Sequence, residues 1–478
     1  MTGMADMAAV DMRREWRSMF LTAIVFTAAF VGLVVVGGGR RESLLILPLL
    51  AAGLILVQDA ERTVWALIVA LFIVFPISLY SSAVAFSAVV AMSFLVTRRF
   101  AWSSLRTQLT VPILVYGLTV IPSLFNAGNP LRCVAFTYNV VAFLIALHVP
   151  YLLATSMPVV RRFFAIYLAM AVVNGIELSL LSLSTGRREY GFSGLMYGDY
   201  AGIAVNTVAA ALMVSRGRSR LLLGTIAAVV GVALIMTQTR NAWISAFVTL
   251  SFGVAYLIRH PELAGISRRD MVRFAGIGAL ALIILVGGAL TLNPDLQGRA
   301  ASITANEAVE SGETLIVRNS LISRMMIWDA ALNAFLAHPW AGVGVYGFAM
   351  ASRQYSHLPA ALYDFYVRDM SPHVTMFAVL SETGLIGFTG FLIFVGSLVR
   401  VALRSVRGAR ELEGRRAAFV GLTAVVYIVV SMFFTDAWLW GQGIVLLGLI
   451  AGIVLAIDRM YSGPRTGAVS SPLPGATA

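Results

Sequence analysis

Three short stretches of an otherwise apolar chain carry side chains whose types and spacing could do chemistry. In "MTQTRNAWISAFV", Arg240 sits in a turn of a few residues between two apolar runs, with Thr237, Gln238, Thr239 and Asn241 around it. In "SLISRMMIWDAALNAFLAHPWAGVGVYGF", Arg324 and Trp328 are four residues apart, so a helix puts both on one face. His338 and Pro339 follow in the same stretch. In "DMSPHVTMFAVLSETGLIGFTGFLIF", His373 stands at the threshold of an apolar run and Glu382 lies inside it. A fourth and looser stretch, "STGRREYGFSGLMYGDYAG", sets Arg187 and Arg188 among glycines and tyrosines. A guanidinium offers a planar fork of donors that fits phosphate oxygens. A neutral imidazole titrates close enough to pH 7 to take a proton from a hydroxyl.

Each residue also has a plainer reading. Arg240 could snorkel to lipid headgroups, or it could hold an anion with its polar neighbours. Arg324 could point to solvent from an amphipathic helix. Arg187 and Arg188 fit an ordinary polar loop as well as an anion site, and the interleaved aromatics suit stacking on sugar rings. His338 precedes Pro339 at a helix end, where a C-terminal cap accounts for it. His338, His357 and His373 lack metal-ligand spacing, so no metal site is expected. Glu382 follows His373 by nine residues, two and a half helical turns, which separates the two by roughly 13–14 Å along one helix. They cannot form a dyad within it. Glu382, like Glu177, is expected to pair with an arginine or to hydrogen-bond inside the bundle.

The elements that must position these groups are membrane helices. The chain has 478 residues, 59% hydrophobic and 12% charged, with a mean hydropathy of +0.86. A soluble domain carries about 25% charged residues. The net charge of +12 comes from arginine alone, because the chain contains no lysine. That removes a P-loop ATPase and Schiff-base chemistry. The arginines are scattered through short loops, which argues against nucleic acid as a partner. Cys133 is the single cysteine, so there is no intrachain disulfide. Arg13, Arg14 and Arg17 precede the first long apolar run, which reads as a retained signal anchor.

Fourteen candidate spans follow: 19–38, 44–57, 64–79, 82–97, 109–125, 134–154, 163–183, 199–215, 221–236, 242–258, 273–292, 374–399, 417–435 and 441–457. The first four are the least regular, and twelve is the alternative; either even number puts both termini on one side. With the N-terminus in the cytoplasm, 24 of the 35 arginines fall on the cytoplasmic side, as the positive-inside bias requires. The expected fold is an all-α polytopic bundle of 12–14 spans. It divides into a cytoplasmic segment 1–18, a membrane bundle 19–292, one large, partly helical periplasmic loop 293–373, C-terminal spans 374–457 and a disordered cytoplasmic tail 458–478. Within the loop, helices are expected across Leu321–Phe335 and in "LPAALYDFYVRDMSP". No internal repeat is visible.

In this order, the stretches resemble the O-antigen ligase and O-antigen polymerase superfamily of bacterial envelope glycosyltransferases. The resemblance rests on "TQTR" ending at Arg240, on Arg324, Trp328, His338, Pro339, Gly342 and Gly344, and on His373, Glu382, Gly384 and Gly387. It covers residues 187 to 390. The family has Asn directly after the histidine, where this chain has Val374. The resemblance implies transfer of a glycan from an undecaprenyl-diphosphate carrier to an acceptor hydroxyl at the periplasmic face of the bacterial inner membrane. The acceptor would be lipid A–core for a ligase or a glycan for a polymerase; protein O-oligosaccharyltransferases share the architecture. His373 would be the base, Arg240 and Arg324 would hold the diphosphate with Arg187 or Arg188 in support, and Trp328, His338 and Glu382 would support the site. No cofactor is implied, and the partners besides donor and acceptor are membrane lipids. A flippase for lipid-linked sugars is the reading from another class. It should show pseudo-symmetric halves and mid-membrane polar residues, whereas this chain gathers its polar chemistry at one face.

Overall fold

In a bilayer every backbone N–H and C=O must be paired within the protein, so long apolar runs close into helices. The computed structural model describes residues 105–185, 197–215, 217, 219–265, 267, 269–270, 273, 276, 307–311, 314–318, 320–439 and 441–461. Its helices are α1 (Thr110–Phe125), α2 (Pro130–Leu153), α3 (Met157–Thr185), α4 (Tyr197–Val214), α5 (Ser219–Met236), α6 (Arg240–Arg259), α7 (Ser320–Ala337), α8 (Phe348–Tyr355), α9 (Ala360–Tyr366), α10 (Thr375–Gly408), α11 (Leu412–Ser431) and α12 (Gly441–Tyr461). Seven of them, α2, α3, α5, α6, α10, α11 and α12, are long and apolar enough to cross a membrane, and α1 and α4 are shorter apolar helices. The chain is therefore a polytopic helical membrane protein. These nine helices fall on nine of the expected spans; 19–38, 44–57, 64–79 and 82–97 lie outside the described residues, as does nearly all of 273–292. Helix α10 runs nine residues past the expected 399 to Gly408.

Helices α10, α11 and α12 pack together, with α4 against α11, α1 against α10 and α2 against α12. The α2–α12 contact uses small residues, as lipid-embedded helix pairs do. A Cβ on Gly448 would lie 2.7 Å from the Phe143 carbonyl oxygen, and one on Gly452 would lie 2.2 Å from that of Leu147. The two ends of the bundle differ. At one, Arg415 pairs with Glu262 at 2.8 Å, Arg161 pairs with Glu413, and Arg459 donates to the Ala154 carbonyl at 3.1 Å. The other end carries a cap made of α7, α8 and α9 around Ile327, Ala331, Phe348, Tyr363 and Tyr366. Helices α7 and α9 occur where the sequence pattern places them. Helix α8 and an antiparallel hairpin, β1 (Glu307–Ser311) with β2 (Thr314–Arg318), were not anticipated.

The cap is joined to the membrane helices by an exchange of backbone hydrogen bonds. Helix α10 breaks at Gly384, which takes φ +64° and ψ −170°. A continuous helix would bond Leu385 N–H to Ser381 and Ile386 N–H to Glu382. Instead Leu385 N–H donates to the Pro339 carbonyl (2.7 Å) and Ile386 N–H to that of Trp340 (3.2 Å). The freed carbonyls of Ser381 and Glu382 accept from the N–H groups of Val343 (2.9 Å) and Gly344 (3.0 Å). The loop after α7 is thus spliced into the helix with each bond replaced. Only glycine fits where the backbones cross: a Cβ on Gly342 (φ +66°) would stand 2.3 Å from the Glu382 carbonyl carbon, and one on Gly384 2.4 Å from that of Trp340.

Gly342→Ala and Gly384→Ala should therefore each destabilise the protein by about 2–5 kcal/mol, combining left-handed strain with overpacking against backbone. Gly396→Ala, in the same helix and with nothing within 4 Å of the added methyl, should be neutral or mildly stabilising. Thermal unfolding of the three variants in detergent checks the contrast.

Candidate functional site

Arg240, Arg324, His373 and an aspartate not singled out from the sequence, Asp436, act on one another electrostatically at the cap end. Arg240 is the first residue of α6, after the three-residue turn Thr237–Thr239. Gln238 in that turn is left-handed (φ +53°), and the Thr237 hydroxyl closes it by donating to Leu234 O at 2.7 Å. Trp243 Nε1 donates to the same carbonyl at 2.8 Å. Arg324 is half-buried and reaches inward, its Nη1 lying 3.5 Å from the Phe434 carbonyl oxygen.

His373 lies just before α10, so it does not share a helix with Glu382; it is a left-handed non-glycine residue with φ +54°. Such a backbone costs roughly 1–2 kcal/mol and persists only where its surroundings impose it. Here they do. Trp328 Nε1 donates to the Pro372 carbonyl at 3.0 Å, and its ring stacks on Phe377 with centroids 5.6 Å apart. On the other side, Thr375 N–H donates to the carbonyls of Met432 (3.0 Å) and Thr435 (3.1 Å), and its hydroxyl donates to Thr435 O at 2.6 Å. Val374, where the resemblance leads one to expect Asn, is the N-cap of α10 and gives no side-chain cap. The C-cap of α11 and the loop after it supply the carbonyls instead. His373 Nδ1 is 3.3 Å from Ser371 Oγ.

The same contacts place Asp436. It follows α11 and precedes a 3₁₀ turn, Ala437–Leu439, and is 8% exposed with no hydrogen bond to Oδ2. Its sequence signal was an acidic residue inside "FFTDAWLW", between two spans. Burial holds the His373 imidazole below the ordinary histidine value; the Asp436 carboxylate pulls it back up and the Arg324 guanidinium pushes it further down. Burial also lowers the Arg324 guanidinium, helped by the positive charge of Arg240 and opposed by Asp436. Arginine still stays protonated. Two cations from distant parts of the chain are therefore held together beside one carboxylate.

Glu382 lies at the edge of this group, near enough for the Asp436 charge to act on it. It is 5% exposed, and its carboxylate accepts from the N–H groups of Tyr346 (Oε2, 3.0 Å) and Phe348 (Oε1, 3.4 Å). Tyr346, also left-handed (φ +53°), donates its hydroxyl to Leu439 O at 3.0 Å, and Leu439 N–H donates to Asp436 O at 3.0 Å. Glu382 thus reaches the site through the backbone that carries Asp436. His338 is exposed and points away, its Nε2 2.7 Å from the Tyr355 hydroxyl. Arg187 and Arg188 lie outside the described residues.

Asp436→Asn should move the His373 titration to lower pH, and Arg324→Gln should move it to higher pH, both relative to a wild-type midpoint under about 6.5. Carbethoxylation of His373 by diethyl pyrocarbonate, followed across pH by peptide mass spectrometry, reads the neutral fraction directly. Shifts of the opposite sign would contradict the charge arrangement.

Residues 225–392 match the family model described as O-antigen ligase. No curated protein matches the chain. The matched segment runs from α5 into α10 and contains Arg240, Arg324, Trp328, His373 and Glu382, while Asp436 lies beyond it. This segment, about a third of the chain, is therefore similar to the O-antigen ligase family.

Proposed function

We propose that the protein is an O-antigen ligase-type glycosyltransferase that moves a glycan from undecaprenyl diphosphate to an acceptor hydroxyl, with lipid A–core as the acceptor. The observation that carries this reading is the mutual repulsion of Arg240 and Arg324 in one half-buried site. Like charges brought together out of bulk water call for an anion, and two guanidinium groups suit the two phosphates of a lipid diphosphate. Arg240 also sits at the N-terminus of a 20-residue helix, where the helix dipole favours negative charge.

The chemistry follows from the charges. The acceptor hydroxyl attacks the anomeric carbon while His373 takes its proton. The bond from that carbon to the diphosphate oxygen breaks, and the diphosphate leaves with its charge held by Arg240 and Arg324. A single displacement inverts the anomeric centre, and holding the leaving group on arginines requires no metal. With Nδ1–H donating to Ser371, Nε2 is left to accept the proton. Asp436 then faces the imidazolium that forms. Burial keeps His373 neutral at pH 7, the form a base needs. The arginine distribution supports an inner-membrane orientation with both termini in the cytoplasm and residues 293–373 in the periplasm.

In a detergent assay with an undecaprenyl-diphosphate donor and EDTA, His373→Ala should lose roughly 10²–10⁴-fold in turnover, and Arg240→Ala and Arg324→Ala should each lose transfer. The rate should fall as pH drops through the depressed His373 titration. Undiminished turnover in His373→Ala would remove the base assignment, and loss of wild-type activity on chelation would remove the metal-free one. A deletion strain decides the acceptor: bare core with polymer retained on the carrier means ligase, and core bearing a single repeat means polymerase.

A further inference from the structure

At the end of the bundle opposite the cap, a cavity of about 670 Å³ opens between α3, α4, α11 and α12. Along α3 its wall runs from Met157 to Tyr167, ten residues or about 15 Å of helix. That is half the hydrocarbon thickness of a bilayer, about 30 Å. The wall is hydrocarbon over most of its height, with Val160, Phe163, Ala211, Val420 and Ile453 facing in. Two polar groups in it are already bonded: the Tyr167 hydroxyl donates to Tyr200 O and the Thr207 hydroxyl to Ile203 O, both at 2.8 Å. Charge appears at the rim, where Arg161, Glu413 and Arg416 join the lining. Arg161 pairs with Glu413, and Arg416 donates Nε to Leu263 O at 2.9 Å and Nη2 to Ala264 O at 3.4 Å.

These walls offer no hydrogen bonds to a sugar or a nucleotide, and water finds few partners there. The slot is open on one side, so acyl chains of a surrounding bilayer can enter it. Hydrocarbon from the surrounding leaflet is the chemistry that fits. We propose that the cavity binds an anionic glycerophospholipid, with one acyl chain in the slot and its phosphate at Arg161 and Arg416. The rim holds two guanidinium groups against one carboxylate. The Arg161–Glu413 pair is 65% and 52% exposed, and an exposed pair of that kind contributes little, so a phosphate can share Arg161 at small cost. A polyprenyl chain, longer than one leaflet is deep, overruns the slot. The site is independent of the transfer reaction at the other end.

The full-length chain purified in detergent is mixed with equal amounts of dioleoyl phosphatidylglycerol and dioleoyl phosphatidylcholine and examined by native mass spectrometry. One phosphatidylglycerol should stay bound per chain, preferred by roughly fivefold for the single net positive charge at the rim. Ala211→Trp and Val420→Trp, which fill the slot, should each release it. Arg161→Gln, at an exposed position that leaves the helix packing untouched, should narrow the preference even if a tryptophan variant does not fold. Equal retention of the two lipids by the wild type overturns the headgroup assignment. Retention that survives both tryptophans overturns the location, and a retained isoprenoid overturns the occupant.

Discussion

The break in α10 at Gly384 is the constraint on which the cap end depends. Two helical hydrogen bonds are given up there, and both are remade with the loop from Pro339 to Gly344. Buried backbone groups left unpaired in a membrane protein are costly, so the exchange has to be complete. It is completed further by side chains: Ser123 Oγ donates to the Glu382 carbonyl at 2.7 Å, and Asn126 Nδ2 donates to that of Gly342 at 3.0 Å. One crossing therefore fixes α1, the end of α7 and the start of α10 against each other. Trp328, on α7, can then hold the Pro372 carbonyl and impose the left-handed turn at His373.

The charges at the site depend on that rigidity. Bringing Arg240 toward Arg324 is unfavourable in a half-buried place, and Asp436 offsets only part of it. A flexible site would relax by letting the side chains swing to water. Here α6 begins at Arg240 directly after a closed turn, Arg324 projects from a helix packed on α10, and the loop bearing Asp436 is tied to Thr375.

The two ends of the bundle carry arginine in different ways. At the cap end, guanidinium groups are half-buried and oppose one another. At the other end they meet exposed carboxylates, as in the Arg161–Glu413 pair, or loop carbonyls, as with Arg416. The first arrangement brings like charges together, whereas the second suits the plane of lipid headgroups.

Much of this was legible in the residues. Apolar runs marked nine helices that the structure describes, because period and length alone decide whether a segment can satisfy its backbone in lipid. Arg240 in its short turn, the pairing of Arg324 with Trp328 on one helix face and His373 at a helix threshold were all local patterns. The hairpin over Glu307–Arg318 and helix α8 were missed, since short elements held by cap packing carry little periodicity. Glu382 showed only that a buried carboxylate needs partners; that these are the N–H groups of Tyr346 and Phe348 depends on a loop threaded across a broken helix. Asp436 was passed over because a lone acidic residue between two spans is a weak signal, and His373 and Arg324 reach it only through folding. Sequence by itself determined the membrane helices, their sidedness bias and the candidate arginines and histidine, because each depends on neighbours within a few turns. The tertiary structure alone decided which charges face one another, because electrostatic coupling depends on distance in space and on burial, and the chain encodes both only through its long-range contacts.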